Sequence, residues 1–141
     1  MNKLPMEVLS VLNNEKRDNK VIFLLTLDSD YYPHVSLLSP YQMKANERGD
    51  IMFFVHSNSR TRSNLIERGK ATIIFIVPPK CIYIKGKSSF IRNFDGESLF
   101  SFSANEVKVD YSEVSPIISD VKFNDERVKG FYLKLFNMAF H

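Results

Sequence analysis

The chain of 141 residues has no tryptophan, a single cysteine and only five glycines. Each scarcity closes off a class of protein. A lone Cys81 excludes an internal disulfide and fits a reducing compartment. Five glycines, none gathered into a glycine-rich phosphate loop, exclude a Rossmann or P-loop site. The three histidines and the cysteine lack metal-ligand spacing, so no metal site is expected. They also assemble no Ser-His-acid or Cys-His grouping, and no catalytic residue can be named. Apolar runs stay far short of the ~20 residues that span a bilayer as a helix. The opening "MNKLPMEVLS" lacks the apolar segment of a secretory signal, so a cytoplasmic location without a membrane partner is expected. Net charge is +3 with a pI near 9.0, but the basic residues are scattered, which argues against nucleic acid as a partner.

What the chain does have is apolar side chain. Hydrophobic residues make up 44% and aromatics 13%, with twelve Phe and six Tyr, enough for one real core and too much for a disordered chain. A single domain over residues 1–141 is expected. Residues 5–14, "PMEVLSVLNN", read as a short amphipathic helix opened by Pro5 and ended by Asn13–Asn14. After the polar connector "NEKRDNK" come strands at 21–27 ("VIFLLTL") and 34–43 ("HVSLLSPYQM"), with Pro40 marking a bend or edge. A third strand, "IMFFV" at 51–55, precedes a helix at about 59–68 that Gly69 is placed to stop. Strands follow at 70–77 and 81–92, the first ended by Pro78–Pro79, the second carrying Gly86 as a bulge. Residues 95–106 are weakly helical in pattern. Residues 131–136, "FYLKLF", alternate as a last strand, although a C-terminal helix through Val128, Phe131, Leu135 and Met138 fits nearly as well. The fold class is mainly β (α+β), a split barrel of about six mostly antiparallel strands with a few short helices. Phe75 should face its core. The continuous apolar strands 21–27 and 70–77 suggest burial on both faces through a dimer.

The segment "HSNSRTRSNL" (56–65) poses the sharpest question. With Ser59 as helix cap, the third helical position is Arg62 where a capping box would carry Glu or Gln. Arg60 precedes it in the same first turn. Cations at the positive end of a helix dipole cost about 0.3–1 kcal/mol each. Either the helix absorbs that cost, as two solvated surface arginines would require, or an anion sits there. Lys85 and Lys87, two residues apart on one strand face, are an ordinary exposed strand face in the first reading and a basic wall near the bound group in the second.

From Val21 to Lys87 the chain resembles the FMN-binding split barrels related to pyridoxamine 5'-phosphate oxidase. The resemblance rests on "LLTLDSDYYPHVSLLSP" and "GDIMFFVHSNSRTRSNLIERGKATIIFIV", in that order and spacing. It implies a homodimer with FMN at the subunit interface, the phosphate on the loop and helix start after the third strand. By position, Ser57, Ser59, Arg60, Thr61 and Arg62 would surround that phosphate. Ser36, Leu37, Leu38 and Ser39 would run beside the flavin ring, largely through backbone groups, and His56 stands at the mouth of the site. Two departures stand out: Thr61 lies where many members have Lys, and Tyr31 where many have Gly. The expected function is FMN binding, with flavin-dependent oxidation or reduction of a small-molecule substrate. A deazaflavin could replace FMN. The alternative is a binding or sensing module without turnover, holding a flavin, a deazaflavin or haem. Substrate-binding motifs for pyridoxamine phosphate itself are absent from the C-terminal third.

Overall fold

A computed structural model describes residues 4–13 and 18–140. Seven strands and three α-helices follow in chain order: α1 (Met6–Asn13), β1 (Ile22–Leu27), β2 (Pro33–Leu38), β3 (Met43–Ala45), β4 (Ile51–His56), α2 (Arg60–Arg68), β5 (Lys70–Val77), β6 (Lys80–Phe94), β7 (Glu97–Asp110) and α3 (Glu126–Phe140). The expected end of the first helix at Asn14, part of the connector and His141 lie outside the described residues.

All strand pairs are antiparallel, in the order β2-β1-β5-β6-β7-β4-β3. The two edge strands, β2 and β3, are consecutive in the chain and separated only by Ser39 and the 3-10 turn Pro40–Gln42. So short a link carries the chain from one edge of the sheet to the other. The sheet must therefore curl until its edges lie side by side, where they do not pair. That makes an open, split-barrel-like α+β fold rather than a closed barrel.

Three sequence expectations change here. Residues 34–43 form no single strand: Ser39 caps the 3-10 turn, accepting from the Tyr41 amide, with Pro40 as its first residue and Gln42 closing the capping box. The helix at 95–106 is absent, because β7 occupies Glu97–Asp110. Asp95 and Gly96 both take positive φ (47° and 81°) and make the two-residue hairpin turn that an Asp-Gly pair favours. The strand at 131–136 is also overturned, since α3 runs Glu126–Phe140. Its buried residues are Tyr132, Leu135 and Phe136, whereas Val128, Phe131 and Met138 remain exposed. The helical alternative had the right element and, apart from Leu135, the wrong face.

The rest follows local chemistry. Gly69 ends α2 in the left-handed region (φ 71°), its N–H donating to the Leu65 carbonyl at 2.9 Å. The β6–β7 register shifts at Lys85/Gly86, where a bulge was expected. A Cβ at Gly86 would lie 2.2 Å from the Ser103 carbonyl oxygen, so no side chain fits there. Tyr31 keeps the left-handed backbone (φ 69°) despite its bulk, held by a turn in which Tyr31 N donates to Asp28 O and Asp28 N to Tyr32 O, both at 2.9 Å.

Two apolar clusters result. The larger fills the barrel with Leu24, Ile51, Phe53, Ile73, Phe75, Ile82, Ile84, Phe100 and Phe102, closed by α1 through Val8, Val11 and Leu12 and by α2 through Leu65. The smaller lies on the other face of β4 and β7, where α3 covers Phe54 and Leu99 with Tyr132, Leu135 and Phe136. Among the described residues, no helix is long and apolar enough to cross a membrane.

Candidate functional site

The loop after β4 and the start of α2 gather the polar residues singled out in the sequence. Ser59 is the N-cap, its Oγ accepting from the Arg62 amide at 3.1 Å and donating to the His56 carbonyl at 2.7 Å. Among the described residues no carbonyl or side chain takes the amides of Arg60 and Thr61, so they remain the open positive end of the helix. Helical spacing then sorts the side chains. Thr61 turns inward, is 3% exposed and shares a hydrogen bond with Ser36 of β2. Asn64, one turn on, donates to Thr26 Oγ1 at 3.1 Å and Asp28 Oδ1 at 2.8 Å, tying α2 to the end of β1.

The two arginines part company, as residues two apart on a helix must. Arg60 is 68% exposed and pairs with Asp28 at 3.6 Å. Arg62 crosses to the β6–β7 hairpin, where its Nε donates to Ser98 Oγ at 2.9 Å and its guanidinium lies over the Phe90 ring at 5.3 Å. Ser98 is fully buried and donates to Asn93 Oδ1 at 2.6 Å, with Ser57 Oγ 3.0 Å away. The Nε of the guanidinium is thus anchored and one face packed, while among the described residues its terminal nitrogens meet no acceptor. A guanidinium so oriented presents two parallel N–H groups to an oxyanion.

His56 goes elsewhere. Its Nδ1 pairs with Glu97 Oε2, and Glu97 is 1% exposed, with its other oxygen accepting from the Tyr132 hydroxyl at 2.6 Å. Glu97 and Ser98 are consecutive on β7 and point to opposite faces. The His56 ring therefore lies on the α3 side and the Arg62 cluster on the barrel side. Burial first, then the hydrogen bond and charge of Glu97, push the Tyr132 hydroxyl above the phenol range.

β2 contributes an edge. Its residues pair with β1 along one side only, leaving the backbone of Ser36, Leu37 and Leu38 unladdered on the other. Leu37 is exposed and Leu38 buried in the barrel core. Ser39 is committed to structure: it is 1% exposed, and its Oγ donates to Asp125 at 2.6 Å while capping the 3-10 turn. Ser98, Asn93 and Phe90 were not singled out in the sequence. The signal that could have found them is the Asp95-Gly96 hairpin, which brings residues 90–93 and 98 together. No group of His, Cys, Asp or Glu among the described residues could hold a metal ion.

No family model and no curated protein matches the chain. Solved structures do. A candidate pyridoxamine 5'-phosphate oxidase from Lactobacillus delbrueckii superposes with a TM-score of 0.62 at 15% identity, over 77% of this chain and 95% of that one. An FMN-binding protein from Syntrophomonas wolfei gives 0.60 at 14%, over 73% and 83%. An F420 reductase gives 0.58 at 10%, over 74% and 98%. At such identities the likeness defines the fold alone. The chain has the fold of the pyridoxamine 5'-phosphate oxidase-like proteins.

Proposed function

We propose that the chain is an FMN-binding protein that acts as a flavin-dependent oxidoreductase on a small molecule, as a homodimer in the cytoplasm. The carrying observation is Arg62, anchored at Nε by Ser98 and stacked on Phe90 with donors to spare, on a helix whose first amides are also without partners among the described residues. The donor set of a guanidinium and helix N-terminal amides suits a phosphate dianion. The outer N–H groups of Arg62 and the amides of Arg60 and Thr61 would hold it, and the Arg60 side chain would act from the exposed rim. Ser57, Ser59 and Thr61 would fix the loop and helix start around it through their own hydrogen bonds. The unladdered edge of β2 offers alternating N–H and C=O groups to the polar edge of a flavin ring through Ser36, Leu37 and Leu38. A bound flavin supplies the redox chemistry, and the protein supplies binding and orientation. The F420 reductase among the similar structures supports a deazaflavin as the second reading.

Support for the dimer comes from the outward face of the sheet. In register across β2, β1 and β5 stand Leu37, Phe23 and Ile74, with Val35 beside them, and Val35 and Leu37 are 52% and 55% exposed. Sedimentation giving a stable monomer near 16.4 kDa would contradict it.

The phosphate site is tested by titrating FMN and riboflavin against the parent, Arg62→Ala and Arg60→Ala. Arg62→Ala should weaken FMN tenfold to hundredfold, about 1.5–3 kcal/mol. Arg60→Ala should cost less than about 1 kcal/mol, as exposed pairs do. Riboflavin, lacking the phosphate, should respond to neither. Equal FMN affinity in the parent and Arg62→Ala would place any phosphate elsewhere.

A further inference from the structure

The outward face of the sheet holds a cleft of about 500 Å³ that the flavin reading does not use. Leu25, Leu27 and Pro33 form one wall of it, and Lys70, Lys85 and Lys87 stand on the other, with Glu106 as the one carboxylate in the lining. Register places all of them on one face: Pro33 is opposite Leu27, Leu25 opposite Thr72, Thr72 opposite Lys85, and Lys70 opposite Lys87. Gly86 between the two β6 lysines points inward, where a side chain would strike Phe102 and the Ser103 carbonyl. Lys85 and Lys87 are thus held on the same outer surface.

The charges there are unbalanced. Like charges directly opposite each other on neighbouring strands destabilise a sheet. Lys70 and Lys87 are such a pair, and neither meets a carboxylate among the described residues. Lys85 reaches Glu106 only at 4.0 Å, with both side chains more than half exposed. An inorganic anion would satisfy the lysines and leave Leu25, Leu27 and Pro33 wet. A neutral apolar molecule would cover that wall and leave the repulsion in place. We propose that this cleft is a second binding site, for an organic anion that joins an apolar body to a carboxylate, sulfonate or phosphate. It rests on β1, β5 and β6, borders the Leu37–Phe23–Ile74 face proposed for the dimer, where Leu25 stands opposite Val35, and shares no residue with the Ser57–Arg62 cluster.

A matched pair of fluorescent probes tests this: 1-anilinonaphthalene-8-sulfonate, and N-phenyl-1-naphthylamine, which has the same rings without the sulfonate. The parent should bind the sulfonate probe about tenfold or more tightly than the neutral one. The double variant Lys70→Gln/Lys87→Gln should bring the two affinities together by weakening the sulfonate probe alone. Leu25→Gln should weaken both probes. FMN affinity should stay unchanged in the lysine variant, which separates this site from the phosphate site, and the probe titrations read the cleft whether or not FMN binds. Removing the opposed lysines should leave the melting temperature equal or higher. Raising sodium chloride from about 50 to 500 mM should weaken the sulfonate probe on the parent and spare the neutral one. Equal affinity of the parent for both probes, an undiminished sulfonate affinity in the double variant, or indifference to salt would each overturn the proposal.

Discussion

One pair of strands, β4 and β7, carries a polar cluster on each of its faces, and the two behave differently. On the α3 side, Glu97 is enclosed between Tyr132 and His56, so both of its oxygens are used. Around it Phe54 packs against Phe136 at 4.8 Å and Phe94 at 6.0 Å between ring centroids. On the barrel side, Ser98, Asn93, Ser57 and Arg62 bond to one another, yet the outer part of the Arg62 fork and the first amides of α2 remain available. A polar group that has all its partners works as structure. One that is held in place with donors to spare is ready for a ligand. Spare hydrogen-bonding capacity on a rigid support, more than charge or exposure, is the reason the second cluster is the one proposed to bind a ligand.

The comparison can be broken from either side. The largest effects should come from the rings beneath each face. Phe54→Ala under α3 and Phe75→Ala in the barrel, 0% and 1% exposed, should each cost about 3–5 kcal/mol in chemical denaturation. A loss below about 1 kcal/mol for Phe54 would mean that α3 is not docked as described. Next is Tyr132→Phe, which removes one of the two partners of a buried carboxylate and should cost about 1–3 kcal/mol without altering FMN affinity.

The same tyrosine has a pH signature. Its folded pKa is raised above the ordinary tyrosine value of about 10, so the folded state holds the proton more tightly than the unfolded chain does. Its contribution is whole below pH about 10 and falls as pH rises beyond that. Melting temperatures from pH about 9 to 11 should therefore drop more steeply for the parent than for Tyr132→Phe. Parallel curves would show that Tyr132 is not buried against Glu97.

Ser98→Ala addresses the open cluster. It should cost about 0.5–1.5 kcal/mol of stability and weaken FMN several-fold, because Arg62 loses the acceptor that aims it. If FMN affinity were unchanged, the fixed geometry of Arg62 would be irrelevant to binding. The smallest effect should be a gain. Tyr31 pays for a left-handed backbone that glycine adopts freely, so Tyr31→Gly should stabilise by up to about 1 kcal/mol. A destabilised variant would show that the Tyr31 ring contributes more than its backbone costs.

What could be read locally was legible in the sequence. Ser59 as a cap, Gly69 as a stop, the bend at Pro40, the bulge at Gly86 and the inward Phe75 each depend on a residue and its near neighbours. The errors share another cause. "FYLKLF" suits a strand or a helix, and only the apolar surface of Phe54 and Leu99 chooses the helix and its Tyr132–Leu135–Phe136 face. The local pattern of residues 95–106 does not show their strand, because the Asp95-Gly96 turn acts by pairing β7 to a strand before it. The candidate site shows the same division. Its residue types and the helix start that gathers them were determined by "HSNSRTRSNL" itself. That Arg60 faces Asp28 while Arg62 reaches Ser98, and that His56 turns to a buried glutamate, was decided by the tertiary structure. Those partners lie 32 to 41 residues away in sequence, brought near by strand register, and a local pattern holds no record of register.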